Sequence, residues 1–310
     1  MTPEIYSEWL RRQGQTVVRT ESSYWHSEGL GVYQAFPYHW LIDPGKNELS
    51  ELFSRHRSVA LRYSMPQEST RGCPSYAIVF EGGDYTLAVM GHRTRKNVRK
   101  GLRECKIEPI TFQALVDEAW DLRLDAFDRQ GRHRFISRDS WRKRYLTATD
   151  LPGFQAWGAR VENRLAGYAV TFQMGDCLCI LDHQSHRQYH ELNINNALTY
   201  VVSEQGASSP GVRTLFYGLE SLDAPERVAE FKFHMGYLAK PIRQRVVFRP
   251  QVALLANRLS YRMAALMSTL RPGNRRFAKA TGMLRVYLSE KHAQSVNAVS
   301  TDILETRHSN

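Results

Sequence analysis

An α+β fold, with mixed and mostly antiparallel sheets flanked by helices, is predicted by three observations. Three strand patterns follow one another between residues 154 and 185, separated by the turn signals Glu162-Asn163 and Gly175-Asp176. Apolar residues at helical spacing bracket that meander on both sides. The chain of 310 residues, with 42% hydrophobic and 24% charged side chains, is long and apolar enough to bury a substantial core, which excludes a disordered or fibrous chain.

The elements follow in order. Residues 1–91 read as mixed and rich in short strands: LGVYQAFPYHW (30–40), SVALRYS (58–64) and SYAIVFEGGDYTLAVM (75–90), the last broken by Gly82 and Gly83 as in a hairpin. A basic helix is expected over residues 93–104 and a short strand over 106–111. FQALVDEAWDLRLDAFDRQG (112–131) then places apolar residues at 115, 119, 120, 126 and 127, close to a 3.6-residue period. RDSWRKRYLTAT (138–149) reads as a second helix opened by Ser137 or Asp139. The meander FQAWGARV, RLAGYAVTFQM and CLCILDHQS follows Pro152-Gly153. A helix at about 191–206, a strand RTLFYGLE, a helix APERVAEFKFHMG and a strand near IRQRVVF complete the pattern. From Val252 to Leu288, helical spacing is mixed with arginines, either a helix packed on the body or one lying on a membrane surface or partner.

Composition narrows the function classes. A formal charge of +11 favours anionic partners such as a phosphorylated cofactor, nucleic acid or an acidic membrane surface. Four cysteines without a C-x-x-C pair, and a polar N-terminus, suit reduced thiols in a cytoplasm rather than a disulfide scaffold. No apolar run approaches the ~20 residues that span a bilayer. The expected location is therefore cytoplasmic or at a membrane surface. Cys177 and Cys179 share a strand face but read as core, and there is no P-loop, G-x-S-x-G elbow or dinucleotide fingerprint.

The order from Val98 to Pro250 resembles the acyltransferase fold of the GNAT superfamily. RTRKNVRKGLREC (93–105), HRQYHELNIN (186–195) and EFKFHMGY (230–237) together resemble its FemABX-like branch, in which two such domains are fused. The resemblance implies a degenerate GNAT-like domain over residues 1–91, an acyltransferase domain over 92–250 and a helical extension and tail over 251–310. It implies transfer of an acyl group onto an amine, with acetyl-CoA or another acyl-CoA as first donor and aminoacyl-tRNA as second, and no metal. The acceptor is expected to be an amino sugar, a cell-envelope or exopolysaccharide precursor, or a lipid-linked amine.

In that superfamily, the loop after the third meander strand holds the donor's pyrophosphate at the N-terminus of the next helix, where unpaired N–H groups favour anions. Here the corresponding segment offers Arg187 as a cation and Gln188, Tyr189, His190, Asn193 and Asn195 as donors. It contains no glycine, the residue that close phosphate approach usually requires, so it also reads as the start of a packed helix. In the FemABX-like pattern, the lysine of an F-K segment followed by glycine faces the reaction cleft. Lys232, between Phe231 and Phe233 and ahead of Gly236, matches it. Its ammonium would steady developing negative charge; otherwise it runs along the phenylalanines to solvent.

General-base candidates at strand ends are Asp182, His183, Glu220 and Asp223. Strand alternation lets only one of Asp182 and His183 face the cleft. Tyr217 either donates to a leaving group or packs. The alternative of another class is a non-catalytic RNA-binding protein using the basic stretch 93–106.

Overall fold

The computed structural model describes residues 1–129, 137–221, 227–271 and 274–308. In chain order its elements begin with α1 (Pro3–Arg12), β1 (Val17–Arg19), β2 (Tyr24–Ser27), β3 (Val32–Phe36), α2 (Lys46–Arg55), β4 (Ala60–Met65) and β5 (Cys73–Glu81). Next come α3 (His92–Glu104), β6 (Lys106–Ile110), α4 (Phe112–Glu118), α5 (Trp120–Arg129), α6 (Arg138–Leu146), β7 (Phe154–Val161), β8 (Arg164–Met174) and β9 (Cys177–Ser185). The chain closes with α7 (Ile194–Ala207), β10 (Thr214–Leu219), α8 (Arg227–His234), β11 (Leu238–Phe248), α9 (Pro250–Ala253), α10 (Arg258–Leu270) and α11 (Arg275–His308).

These elements form two compact units that interleave along the chain. One comprises Met1–Val17, Tyr76–Glu220 and α8 with the residues up to Lys240; the other comprises Val18–Ser75 and Pro241–Asn310. Sequence breaks were expected at 91/92 and 250/251. Instead, residues 76–91 belong with the meander, and residues 241–250 return to the strands nearer the N-terminus. The second unit orders its strands β1-β2-β3-β4-β11, with β3 and β4 parallel and β2–β3 and β4–β11 antiparallel. The first orders them β5-β10-β9-β8-β7-β6, antiparallel throughout except for β10 with β9. Mixed, mostly antiparallel sheets are thus present as expected.

The meander follows its local signals. Glu162 and Asn163 both take positive φ, 47° and 63°, in the two-residue turn that joins β7 to β8. Along β8, Tyr168 and Phe172 turn to one face, where Tyr145 of α6 and Tyr6 of α1 meet them. Gly167 and Ala169 turn to the other face, under Ile194 and its neighbours on α7. Ser137 caps α6, its Oγ accepting from the Ser140 amide at 3.1 Å.

Two expectations change. The hairpin at Gly82-Gly83 does not form, because β10 occupies the place beside β5, pairing Leu215 with Phe80, and the chain beyond the turn folds in instead. Tyr85 is buried there and its hydroxyl donates to the carbonyl of Met235. The helix expected over 112–131 divides at Ala119, whose backbone leaves the helical region (φ −96°, ψ 4°). The basic helix α3 lies close against α7. A Cβ on Gly101 would stand 2.6 Å from the Asn193 carbonyl oxygen, so only glycine allows this approach.

Candidate active site

The site begins where two strands part. The parallel ladder between β9 and β10 pairs Thr214 with Cys177, Leu215 with Leu178 and Phe216 with Cys179, then ends. Both strands continue, β9 to Ser185 and β10 to Leu219, so their later residues face a gap. A shift of register on the β5 side between Phe216 and Gly218 accompanies the divergence.

Lys232 reaches the edge of this gap. Its Nζ donates to the main-chain carbonyl of Tyr217 at 2.8 Å and lies 4.5 Å from the centre of the Tyr217 ring. Among the described residues no carboxylate pairs with it. Desolvation alone lowers its pKa from 10.5 to about 8. The backbone of α8 sets its position through a Schellman end. The amide of Tyr237 donates to the Lys232 carbonyl at 3.2 Å and that of Gly236 to the Phe233 carbonyl at 2.9 Å, with Gly236 at φ 90°. Lys232 is therefore a partly buried cation on the strand-lined side of its helix and does not run out to solvent along the flanking rings.

His183 closes the gap from the other strand. Its Nδ1 shares a 2.6 Å hydrogen bond with the Tyr217 hydroxyl, and its Nε2 is buried with no hydrogen-bond partner among the described residues. Burial lowers its pKa from 6.5 to about 4, so the ring is neutral at pH 7. Burial pushes the Tyr217 phenol up, which keeps its proton. Because the unfolded chain binds a proton at His183 between pH 6.5 and 4 and the folded one does not, stability falls as pH drops through that window. A denaturant midpoint measured at pH 7 and pH 4.5 is expected to fall, and His183→Phe should flatten part of that slope.

Asp182 lies on the opposite face, as strand alternation requires, and in a different setting. It accepts from the Tyr145 hydroxyl at 2.5 Å, the Gln184 amide at 3.0 Å and the His183 main-chain N–H at 3.0 Å, and Arg123 Nη1 is 3.8 Å away. Burial opposes its charge, but Arg123, Arg144 and these donors outweigh it and leave its pKa below the usual carboxylate value. A carboxylate so held is a poor proton acceptor. Glu220 is half-buried at the end of β10, its main-chain N–H donating to the Tyr76 carbonyl at 2.9 Å. Asp223 lies outside the described residues.

The expected phosphate loop is a 3-10 turn, Arg187–Leu192, and most of its polar groups are engaged within the chain. The Arg187 side chain pairs with the buried carboxylate of Asp125, which also accepts the Arg187 amide at 3.0 Å. The Arg187 charge is thereby neutralised. Arg129 hydrogen-bonds the His190 ring, the Gln188 amide donates to His186 Nδ1 at 3.2 Å, and Tyr189 packs beside His186. Asn193 takes a left-handed conformation (φ 58°) as N-cap of α7, without a side-chain cap bond, and the adjacent Asn195 is half-buried. The four groups Lys232, Tyr217, His183 and Phe231 come together, whereas the loop residues form a separate cluster around Asp125.

A cavity of about 620 Å³ opens beside this cluster and was not anticipated as such. Phe231, Phe233 and His234 of α8 line one side, Asn196 of α7 another, and the first turns of α3 a third. Phe231 also lies against His183, with ring centres 6.4 Å apart, so cavity and cluster share a wall. The α3 turn has Gly91 as N-cap with no side-chain acceptor and carries His92, Arg93, Thr94 and Asn97 into the lining. Unpaired first-turn N–H groups and nearby cations make that wall suited to an anion. The basic run 93–104 was visible in the sequence; that its first turns line a cavity depends on α7 and α8.

No protein-family model matches the sequence, and no curated protein matches it. Solved structures are similar in fold. FemX superposes with a TM-score of 0.55 at 10% identity, over 81% of this chain and 92% of that one. The C-terminal domain of a putative lysylphosphatidylglycerol synthetase from Agrobacterium fabrum gives 0.51 at 13% identity, over 87% and 93%. L-PGS from Bacillus licheniformis gives 0.51 at 12%, over 81% and 93%. The parted strands, the helix that brings Lys232 to them and these superpositions agree: the chain has the fold seen in FemX and in the lysylphosphatidylglycerol synthetase domains.

Proposed function

We propose that this protein is an N-acyltransferase, moving an acyl group from an activated ester or thioester to an amine. The observation that carries the reading is the partly buried Lys232 ammonium, without a carboxylate partner among the described residues, at the point where β9 and β10 part. A carbonyl lying in that gap would be attacked directly by the neutral amine. The tetrahedral intermediate carries an oxyanion, and a preorganised cation in a partly dry site stabilises it more than it stabilises the substrate. Collapse expels the thiolate or alkoxide, and the amine proton passes to that leaving group or to water. In this reading the neutral His183 and the protonated Tyr217, hydrogen-bonded to each other beside the gap, relay it.

Acyl-CoA is the first donor in this reading, with the cavity beside α3 as the anion-accepting end. One observation favours aminoacyl-tRNA as the second reading: the turn expected to hold a pyrophosphate has no glycine, and Asp125 already pairs with its arginine. FemX and the lysylphosphatidylglycerol synthetases lend weight to an envelope or lipid-linked acceptor. We read the unit around residues 18–75 as the non-catalytic copy. The test is product formation with acetyl-CoA, longer acyl-CoAs and charged tRNA against simple amines. A saturable response to one donor that disappears in Lys232→Met supports the reading; turnover unchanged in that variant overturns it.

A further inference from the structure

The C-terminal part of the second unit carries two apolar features that acyl transfer does not use. One is a crevice of about 460 Å³, walled by Val32, Phe248 and Met283, with Leu255 at its lip. Its size lies within the ~300–1,000 Å³ of small-molecule sites. The only lysine in its lining, Lys279, is held by Glu28 at 2.7 Å, and Arg276 lies beside it. The other feature is the edge of α10. Leu259, Met263, Leu266 and Leu270 recur at steps of four, three and four residues and so form one stripe along the helix. With Leu254 and Leu255 just before the helix, they are between 58% and 82% exposed. A contiguous apolar edge of this kind marks an interaction surface.

Charge identifies what meets it. From Arg249 to Ser289 the sequence has seven arginines and one lysine and no aspartate or glutamate. Helical spacing puts Arg258 and Arg262 on one flank of the stripe and Arg271 on the other. An apolar stripe edged by arginines, without a single acidic residue, is complementary to acyl chains below a layer of phosphates. We propose that α10 lies on an anionic phospholipid bilayer, with its leucines among the acyl chains, and that the crevice receives one of those chains. No helix among the described residues is long and apolar enough to cross the membrane, so the attachment is peripheral.

The test is flotation of the full chain with phosphatidylcholine vesicles, with and without phosphatidylglycerol. It needs no turnover, so its outcome is separate from that of the acyltransferase reading. Binding is expected only with phosphatidylglycerol and should weaken as salt rises. Leu259→Ser with Leu266→Ser should reduce it at least about tenfold at an unchanged melting temperature, since both side chains are exposed. Added emission from Ala280→Trp, at the crevice wall, should be quenched by lipids brominated in the acyl chain. The proposal is overturned if the wild type does not float with anionic vesicles or if the double variant floats equally well. It is also overturned if the wild type is a dimer that the double variant converts to a monomer. Flotation without quenching overturns the crevice as a chain site.

Discussion

Lys232→Met is expected to lower turnover by about 10² to 10³-fold while raising the melting temperature. The two effects have one cause. An ammonium held in a partly dry site, with no carboxylate partner among the described residues, destabilises the folded state by roughly 3 kcal/mol at neutral pH, since desolvation lowers its pKa from 10.5 to about 8. Methionine keeps the stem and its contacts and removes the charge, so the fold gains what the chemistry loses. The stability difference between the two proteins should be full below pH 8 and disappear as pH rises from about 8 towards 10.5, because the wild-type lysine becomes neutral in both states. The rate has the opposite dependence on this group. If the ammonium is the active form, an alkaline limb near pH 8 should appear in kcat, and Lys232→Arg should move it upward. Rate–pH profiles and thermal melts of the three proteins give both readings. A melting temperature that falls in Lys232→Met, with turnover intact, would mean that the lysine only packs.

Asp182→Leu is expected to destabilise the protein by about 3–5 kcal/mol, because it leaves Arg123 and Arg144 without the carboxylate that offsets them and the Tyr145 hydroxyl without its acceptor. Asp182→Asn keeps the shape and some of the hydrogen bonds and should cost less. In the wild type this contribution is present above the unfolded value of 3.8 and is lost as pH falls below it, since the folded carboxyl holds its charge to lower pH. Urea titrations of both variants at pH 7 measure the difference. A general base would behave otherwise: Asp182→Asn would fold like the wild type and lose most of its turnover. The geometry favours the structural role, since Asp182 faces α5 and α6 whereas His183, one residue on, faces the gap.

Most of the architecture was legible before any coordinates. β7, β8 and β9 begin and end where alternation and turn residues put them, because strand faces and two-residue turns are written in adjacent residues. The Gly236 stop after Lys232 was legible for the same reason: a Schellman end needs only six consecutive residues. The hairpin after β5 failed because the competitor for its edge, β10, lies more than 130 residues away in the chain. Arg187 read as a free cation because its partner, Asp125, is carried by a helix 62 residues earlier, where a buried aspartate looks like any other polar position. The cavity beside α3 is likewise the joint product of three helices distant in sequence.

The sequence by itself determined the order of elements, the meander and the basic surplus, and it singled out Lys232 as a candidate. Each of these is set by neighbours within a few residues or by composition. Tertiary structure alone decided which charges are neutralised and which are left bare. It tied Arg187 to Asp125 and Asp182 to the arginines, and it left the Lys232 ammonium beside a strand gap with no counterion among the described residues. Desolvation and pairing depend on what the fold brings within a few ångströms, and no local pattern encodes that.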